Sequence, residues 1–458
     1  MKVIDTTKYF LAGLFITVLF YFSINSQLEK IGAIAPSSEQ SDKSNPTFSA
    51  GISEAELTRL IAKSPEVHEY YSFDNEGLNI YASPEDKTLN KAECKIYYEE
   101  FAVFNRLFKA ADIETLKAIY SQKDTSRIDL EHYNGYFSEN DYQHVDGSLP
   151  LSGIKIALDP GHIGGDMEMA ILEGKYVRIS KDKGKTVSEF NEGNIALETA
   201  QILAKKLIAL GAKVMLTRDK KGVSAFNSTY DEWLQNDFET ALKTELEADN
   251  IDQKQYTFLK TKADKKEIFH DFFKGLEIKE RARKINSFHP DLCLIMHYNV
   301  DEENYWQRDR VQNLMTSTEQ NYSMVFMPGA FLSNELGEVE ERIQLLRLLV
   351  TNDVVESMKL SSFVAEEFTN TLKVPAISPY SEMGYIKRVS VFTGNPGVFA
   401  RNLALTRMIH APVCYGEPLC QDNDKEFQQL LDSNKSRVKD VADAYFNGII
   451  KYFKRQVQ

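Results

Sequence analysis

Basic charge is in deficit: 54 lysines and arginines face 67 aspartates and glutamates over 458 residues, a formal net charge of −13. Phosphate backbones need a basic footprint that this balance does not supply, so no nucleic-acid partner is expected. Cysteine is scarce, and Cys94, Cys293, Cys414 and Cys420 form no CxxC pair and no regular spacing. That argues against both a zinc ribbon and a disulfide framework. Cys293 and Cys414 stand in apolar runs and read as small core residues, while a Cys414–Cys420 bridge stays open. There is no HExxH pair, which excludes the helix-borne zinc-protease arrangement. "GHIGG" carries glycines without the GxGxxG or GxxxxGK[ST] spacing of a phosphate-cradling loop, and no internal repeat is visible.

What is present begins with one long apolar run, "YFLAGLFITVLFYFSI" from Tyr9 to Ile24, preceded by Lys2 and Lys8. It is long for a core helix and short for a spanning one. Residues 1–26 therefore read as a signal peptide or an uncleaved membrane anchor, which puts the rest of the chain outside the cytoplasm, in the cell envelope. Residues 27–50 are polar and rich in Ser and Pro, the composition of a flexible linker. A mainly helical region is expected over 51–149, with Ser53 and Glu56 at capping-box spacing. Its aromatic stripe, Tyr97, Phe101, Phe104 and Phe108, reads as core rather than as a sugar-binding platform.

From about residue 150 to 458 strands alternate with helices, so an α/β domain is expected: a mixed, mainly parallel twisted sheet flanked by helices. "IKIALD" is its first strand. Asn191 is placed to cap a helix ended at Gly211, before the strand "AKVMLTR". "KERARKINSF" is a helix stopped at Pro290, "LCLIMH" a strand, "SSFVAEEFTNTL" a helix and "APVCYGE" a strand. Two stretches interrupt the plan, at about 220–274 and 301–321, and both look like insertions at one end of the sheet.

Sites in open α/β sheets form beyond the carboxyl ends of the strands. Three strands end there on chemistry-bearing groups, "IALDPGH" on His162, "LCLIMH" on His297 and "VCYGE" on Glu417, and Glu192 in the first turn of the following helix reaches the same edge. Two imidazoles and a carboxylate are a common ligand set for catalytic zinc, which keeps a fourth position for water, and a further carboxylate can serve as general base. Each residue alone also has a plain structural explanation; the metal site rests on their coincidence. His68, His132, His144, His270, His289 and His410 lie elsewhere in the pattern.

These motifs, in this order, resemble the zinc-dependent N-acetylmuramoyl-L-alanine amidases that cleave bacterial peptidoglycan, over about Leu151 to Lys454. "IALDPGH" is similar to the family's strand ending in Asp-Pro-Gly-His, "EGNIALETAQILAKKLIALGAKVMLTRD" to its glutamate-led helix and Leu-Thr-Arg strand, "ERARKINSFHPDLCLIMHYN" to its Arg-led helix and histidine strand, and "APVCYGEPLCQDNDKE" to the segment bearing its catalytic glutamate. The resemblance implies one zinc ion held by His162, Glu192 and His297, and Glu417 as the catalytic base in amide hydrolysis. It implies supporting roles for Asn299 and Arg407. Asp159, three residues before His162, is expected to orient that imidazole through its second nitrogen.

The chain departs from the family pattern too. "IGGD" follows His162, a hairpin turning at Asp182 to Gly184 separates His162 from Glu192, and Pro418, Leu419 and Cys420 follow Glu417. Glu168, Glu173 and Glu189 are rival ligands. Peptidoglycan is the expected partner, with the membrane if the leader is retained and a regulatory protein acting on an insertion. The competing functions are a catalytically inactive wall-binding or scaffold protein and a zinc peptidase cutting within stem peptides.

Overall fold

The computed structural model describes residues 52–123, 126–127, 149–180, 187–306, 309 and 313–455. The leader, the linker and the turn at Asp182 to Gly184 lie outside the described residues. Among those described, no helix is long and apolar enough to cross a membrane.

The first region contains helices α1 (Glu54–Ile61), α2 (Phe101–Ala110) and α3 (Ile113–Lys123). Ser53 caps α1 by accepting from the Glu56 N–H. Beside the helices lies a three-stranded antiparallel sheet of β1 (Tyr71–Phe73), β2 (Gly77–Ile80) and β3 (Cys94–Tyr97), which the helical pattern did not announce. Phe104 and Phe108 are buried, as expected of core residues. The core they join also takes in Met327, Ala400 and much of a later helix, residues 339–350, so this region is packed onto the rest of the chain.

The central sheet has seven strands. In chain order they are β4 (Lys155–Pro160), β7 (Lys213–Leu216), β8 (Leu292–Met296), β9 (Met324–Met327), β10 (Ser390–Phe392), β11 (Val398–Arg401) and β12 (Val413–Glu417). β5 (Tyr176–Ser180) and β6 (Val187–Asn191) form a separate antiparallel hairpin. The spatial order is β10-β11-β9-β12-β8-β4-β7, with antiparallel pairing only at β10–β11 and β9–β12. The sheet is therefore mixed and mainly parallel. Its central strands read as unbroken apolar runs because both faces are covered.

On one face, α5 (Glu192–Ala209), α11 (Asp353–Asn370) and α12 (Ser436–Arg455) bury Ile156, Leu158, Leu294, Val325 and Cys414. On the other, α9 (Lys274–Phe288) covers Ala157, Cys293, Ile295 and Val413. α10 (Val339–Val350) joins the sheet to the first region. All four cysteines are buried and free, so the Cys414–Cys420 bridge does not form.

The stretch at 220–274 folds into α6 (Tyr230–Asn236), α7 (Phe238–Glu247), α8 (Gln253–Thr261) and a π-turn at Phe269–Phe273 that runs into α9. Its core of Tyr230, Trp233, Phe269, Phe272 and Phe273 also takes in Ile163, the residue after His162. α4 (Met167–Glu173) leans on the same cluster through Met169 and Leu172, so this stretch is packed against the loop that leaves the first strand of the domain.

Candidate metal centre

β4 delivers the first group. At its end the chain turns sharply: Gly161 donates to the Met296 carbonyl at 2.8 Å, and His162 takes the left-handed conformation with φ of 60°. That conformation is uncommon away from glycine and marks a backbone held by its surroundings. Two buried arginines do the holding. Arg218 donates to the carbonyls of Pro160, Gly161 and Gly193 at 3.1, 2.8 and 2.7 Å. Arg281 of α9 donates to the carbonyls of Pro160 and His162 at 2.8 and 3.0 Å.

Glu192 comes from the first turn of α5, whose start is fixed by Asn191 accepting from the Asn194 N–H. The "IGGD" departure is tied to this same turn. Gly165 donates to Asn194 Oδ1 at 2.9 Å, and its carbonyl accepts from Asn191 and Asn194. A Cβ on Gly193 would lie 2.4 Å from the Gly164 nitrogen, so the loop and helix approach only because both are glycine.

His297 follows β8 and stays in its ladder, donating its N–H to the Gly416 carbonyl at 3.0 Å. Its ring stacks on Tyr415 with centroids 4.5 Å apart and an 8° interplanar angle. On another side lies Gly161, where a Cβ would come 2.4 Å from the imidazole.

These elements bring three donors together. Glu192 Oε1 is 3.1 Å from His162 Nε2 and 3.0 Å from His297 Nδ1, and one ligand atom from each residue falls within 4.8 Å of the others. Burial and the neighbouring His162 depress His297 to about 4, which keeps its imidazole neutral. Burial alone would raise the Glu192 carboxyl, but the charges of His162 and Lys175 hold it well below the usual range. A neutral imidazole and an ionised carboxylate are the forms that bind a metal; burial would lower His162, but the charges of Glu192 and Glu173 raise it, so this ring gives up a proton when it binds an ion. The set is therefore a fitting cradle for a divalent ion. Glu192 is steadied by donors from the Tyr298 N–H at 3.2 Å and Gln421 Nε2 at 3.3 Å.

Glu417 ends β12 beside them. Its Oε2 is buried with no hydrogen-bond partner. Burial and the charge of Glu192 push its carboxyl well above the usual range, while Lys175 and Arg401 oppose the shift.

The supporting residues divide. Asn299 lies against the segment after β12, donating its backbone N–H to the Leu419 carbonyl at 3.1 Å. Asp159 does not reach His162. It sits within β4 under α9, where it accepts from Thr217 of the adjacent segment and from Arg281 at 3.1 Å. Its place is taken by Glu173, whose Oε1 lies 2.9 Å from His162 Nδ1 while Oε2 accepts from the Ile163 N–H at 3.2 Å. Arg407 is turned away toward α10, 3.9 Å from Glu341. The short helix Ala404–Met408 between β11 and β12 carries it there. Of the rival ligands, Glu189 pairs with Arg178 across the hairpin at 3.0 Å, and Glu168 is exposed.

Sequence reasoning missed Lys175, whose charge acts on both glutamates, and Gln421. Lys175 follows Gly174, which ends α4 in the left-handed conformation at φ of 75° and turns the chain back past the site. "EGK" carried that signal as a helix stop, not as chemistry.

In this three-layer α/β domain two histidines and a glutamate converge at the carboxyl edge of the sheet as a candidate metal site, with a buried carboxylate alongside. The profile of the N-acetylmuramoyl-L-alanine amidase family matches residues 156–451, nearly two thirds of the chain, and the chain belongs to that family. No curated protein matches. Among solved structures, it is similar to the CwlD amidase from Clostridioides difficile in complex with the GerS lipoprotein, at 17% identity over 65% of this chain and 98% of that one, TM-score 0.35. It is also similar to the N-acetylmuramyl-L-alanine amidase Ami1 from Mycobacterium smegmatis, at 14% identity over 66% of this chain and 98% of that one, TM-score 0.34.

Proposed function

We propose that this protein hydrolyses the amide between the lactyl group of N-acetylmuramic acid and L-alanine in peptidoglycan, with one zinc ion bound by His162, Glu192 and His297. The observation that carries this is the meeting of His162 Nε2, Glu192 Oε1 and His297 Nδ1 next to a carboxylate, Glu417, with an unpaired oxygen. A zinc ion held by these three ligands would supply Lewis acidity, lowering the pKa of a water toward about 7 and polarising the scissile carbonyl.

Glu417 is the base. Its raised carboxyl moves toward the range in which a group takes up and returns a proton near neutrality. It accepts the proton of the attacking water and delivers it to the amine of L-alanine as the C–N bond breaks. Glu173 holds His162 by Nδ1 and leaves Nε2 for the metal. Gln421 and the Tyr298 N–H keep Glu192 in place.

The protein acts in the cell envelope, exported or anchored by residues 9–24, and a regulatory partner acts on one of the two insertions, 220–274 or 301–321. The test is incubation of the purified protein with peptidoglycan, with and without chelator, followed by mass analysis of the released ends. Free L-alanine amino termini beside intact lactyl groups, abolished by chelator and by Glu417→Gln, are expected. New ends inside the stem peptide would instead make it a peptidase. No release with no stoichiometric zinc would make it a binding protein.

A further inference from the structure

We propose that Arg401 is a substrate-binding residue that receives a carboxylate of the peptide on the leaving side of the scissile bond. The proposal rests on the amidase function above.

The register of the sheet puts Arg401 on the face that carries the site, level with Val413 rather than with Glu417, and its side chain runs back along that face toward Phe326. Tyr415 pairs with Phe326, and Glu417 with Met324, across β12 and β9. Phe326 pairs in turn with Phe399 on β11. Directly paired residues share a face, and so do residues two apart on a strand. Glu417, Tyr415, Phe326, Phe399 and Arg401 therefore stand on one face, the face on which Tyr415 stacks against His297. A continuous shelf results: His297 on Tyr415 at 4.5 Å, Tyr415 to Phe326 at 6.0 Å, and Phe326 to Tyr385 at 6.4 Å.

The Arg401 guanidinium lies over this shelf, 5.1 Å from the Phe326 ring centre and 5.6 Å from that of Tyr385. Cation–π attraction to these two rings holds the guanidinium on the shelf. Three buried arginines of this domain are committed to carboxylates, Arg281 to Asp159 and Glu277, Arg347 to Asp353, and Arg437 to Glu426, and Arg218 is committed to the carbonyls of Pro160, Gly161 and Gly193. Among the described residues Arg401 has no such carboxylate. A half-buried guanidinium on the face of the catalytic centre, with no carboxylate of its own, is suited to capture of a carboxylate. The acidic groups of the site itself, Glu192 and Glu417, would repel an anionic substrate, and Arg401 offsets that on the shelf side. Stem peptides carry carboxylates beyond the L-alanine, on the side of the bond where the amine leaves.

The experiment compares the parent protein with Arg401→Gln and Arg401→Lys on two muramyl peptides, one with the second residue's α-carboxylate free and one with it as the carboxamide. The parent is expected to favour the free carboxylate by roughly 10- to 100-fold in kcat/KM, the range of a charge-assisted hydrogen-bonded pair. Arg401→Gln should abolish that preference through KM, and Arg401→Lys should restore part of it. Equal loss of kcat on both substrates with the preference intact would overturn the proposal, because Arg401 would then act only as a counter-charge to Glu417. Calorimetric binding of the same two peptides separates the two levels of inference. A parent that binds the carboxylate form preferentially yet cleaves neither peptide refutes the amidase function alone. One that binds both equally refutes the role of Arg401.

Discussion

Glu173 Oε1 lies 2.9 Å from His162 Nδ1, so the imidazole is gripped on the side opposite Glu192. Burial would raise the Glu173 carboxyl, yet the His162 charge and hydrogen bond bring it down to about 2, leaving an ionised acceptor for the Nδ1–H of the ring. Outer partners of this kind are worth about 10- to 100-fold in metal affinity. Glu173→Gln should therefore weaken zinc by roughly that factor in a chelator competition, with activity recovering at excess zinc. Unchanged affinity would remove Glu173 from the metal centre.

Gly161 is a steric requirement of the same centre. A Cβ there would meet three atoms of the His297 ring at 2.4 to 2.7 Å, closer than any real contact. Gly161→Ala should displace the ring, and metal binding should fail while the far-UV dichroism of the sheet persists. Gly275→Ala is the matched control: nothing lies within 4 Å of its Cβ, and alanine in a helix is favoured over glycine by about 1 kcal/mol. Equal zinc binding by both variants would show that His297 has room to move.

His410 sets part of the pH dependence of stability. Burial and the adjacent Arg347 guanidinium lower it to about 3 from the ordinary 6.5. The unfolded chain then takes up a proton below pH 6.5 that the folded chain refuses. The stability present above pH 6.5 is lost as pH falls toward 3, at up to about 1.4 kcal/mol per pH unit and on the order of 5 kcal/mol in all. His410→Gln keeps a polar group near Gln344, which lies 3.3 Å from the imidazole, but has no proton to take up. Urea midpoints between pH 7 and 5 should fall less steeply in the variant; parallel slopes would rule His410 out.

Much of this was written locally in the sequence. β4, β8 and β12 were legible because strands covered on both faces are continuous apolar runs, and Asn191 announced α5 as a cap. The three strands of the first region were not, because runs of three or four residues such as "YSF" and "CKIY" show no period. At the site, His162, Glu192 and His297 were legible because each ends or begins an element at one sheet edge. Glu173 and Arg401 were not. Glu173 reaches His162 only through the left-handed turn at Gly174, and Arg401 reaches the shelf only through the pairing of β11 with β9. Asp159 and Arg407 failed for the complementary reason. Proximity in sequence to a functional residue did not decide where their side chains turned.

The link between fold and site runs through Arg281. It donates to Glu277 at 2.8 Å, to Asp159 at 3.1 Å and to the carbonyls of Pro160 and His162, with all three side chains 5% exposed or less. Arg281→Met would keep much of the apolar stem while leaving two carboxylates buried without their cation. Breaking a buried pair in this way destabilises by about 3 to 5 kcal/mol, whereas neutralising the whole group is often close to neutral. Arg281→Met alone should therefore lower the urea midpoint sharply, and adding Asp159→Asn with Glu277→Gln should recover most of the loss. Zinc affinity separates the second task of Arg281, since the triple variant still lacks the donor to the His162 carbonyl. It should stay weaker than the parent in metal binding after its stability has returned. Full recovery of both would make the arginine a counter-ion only, and the strained turn at His162 self-supporting.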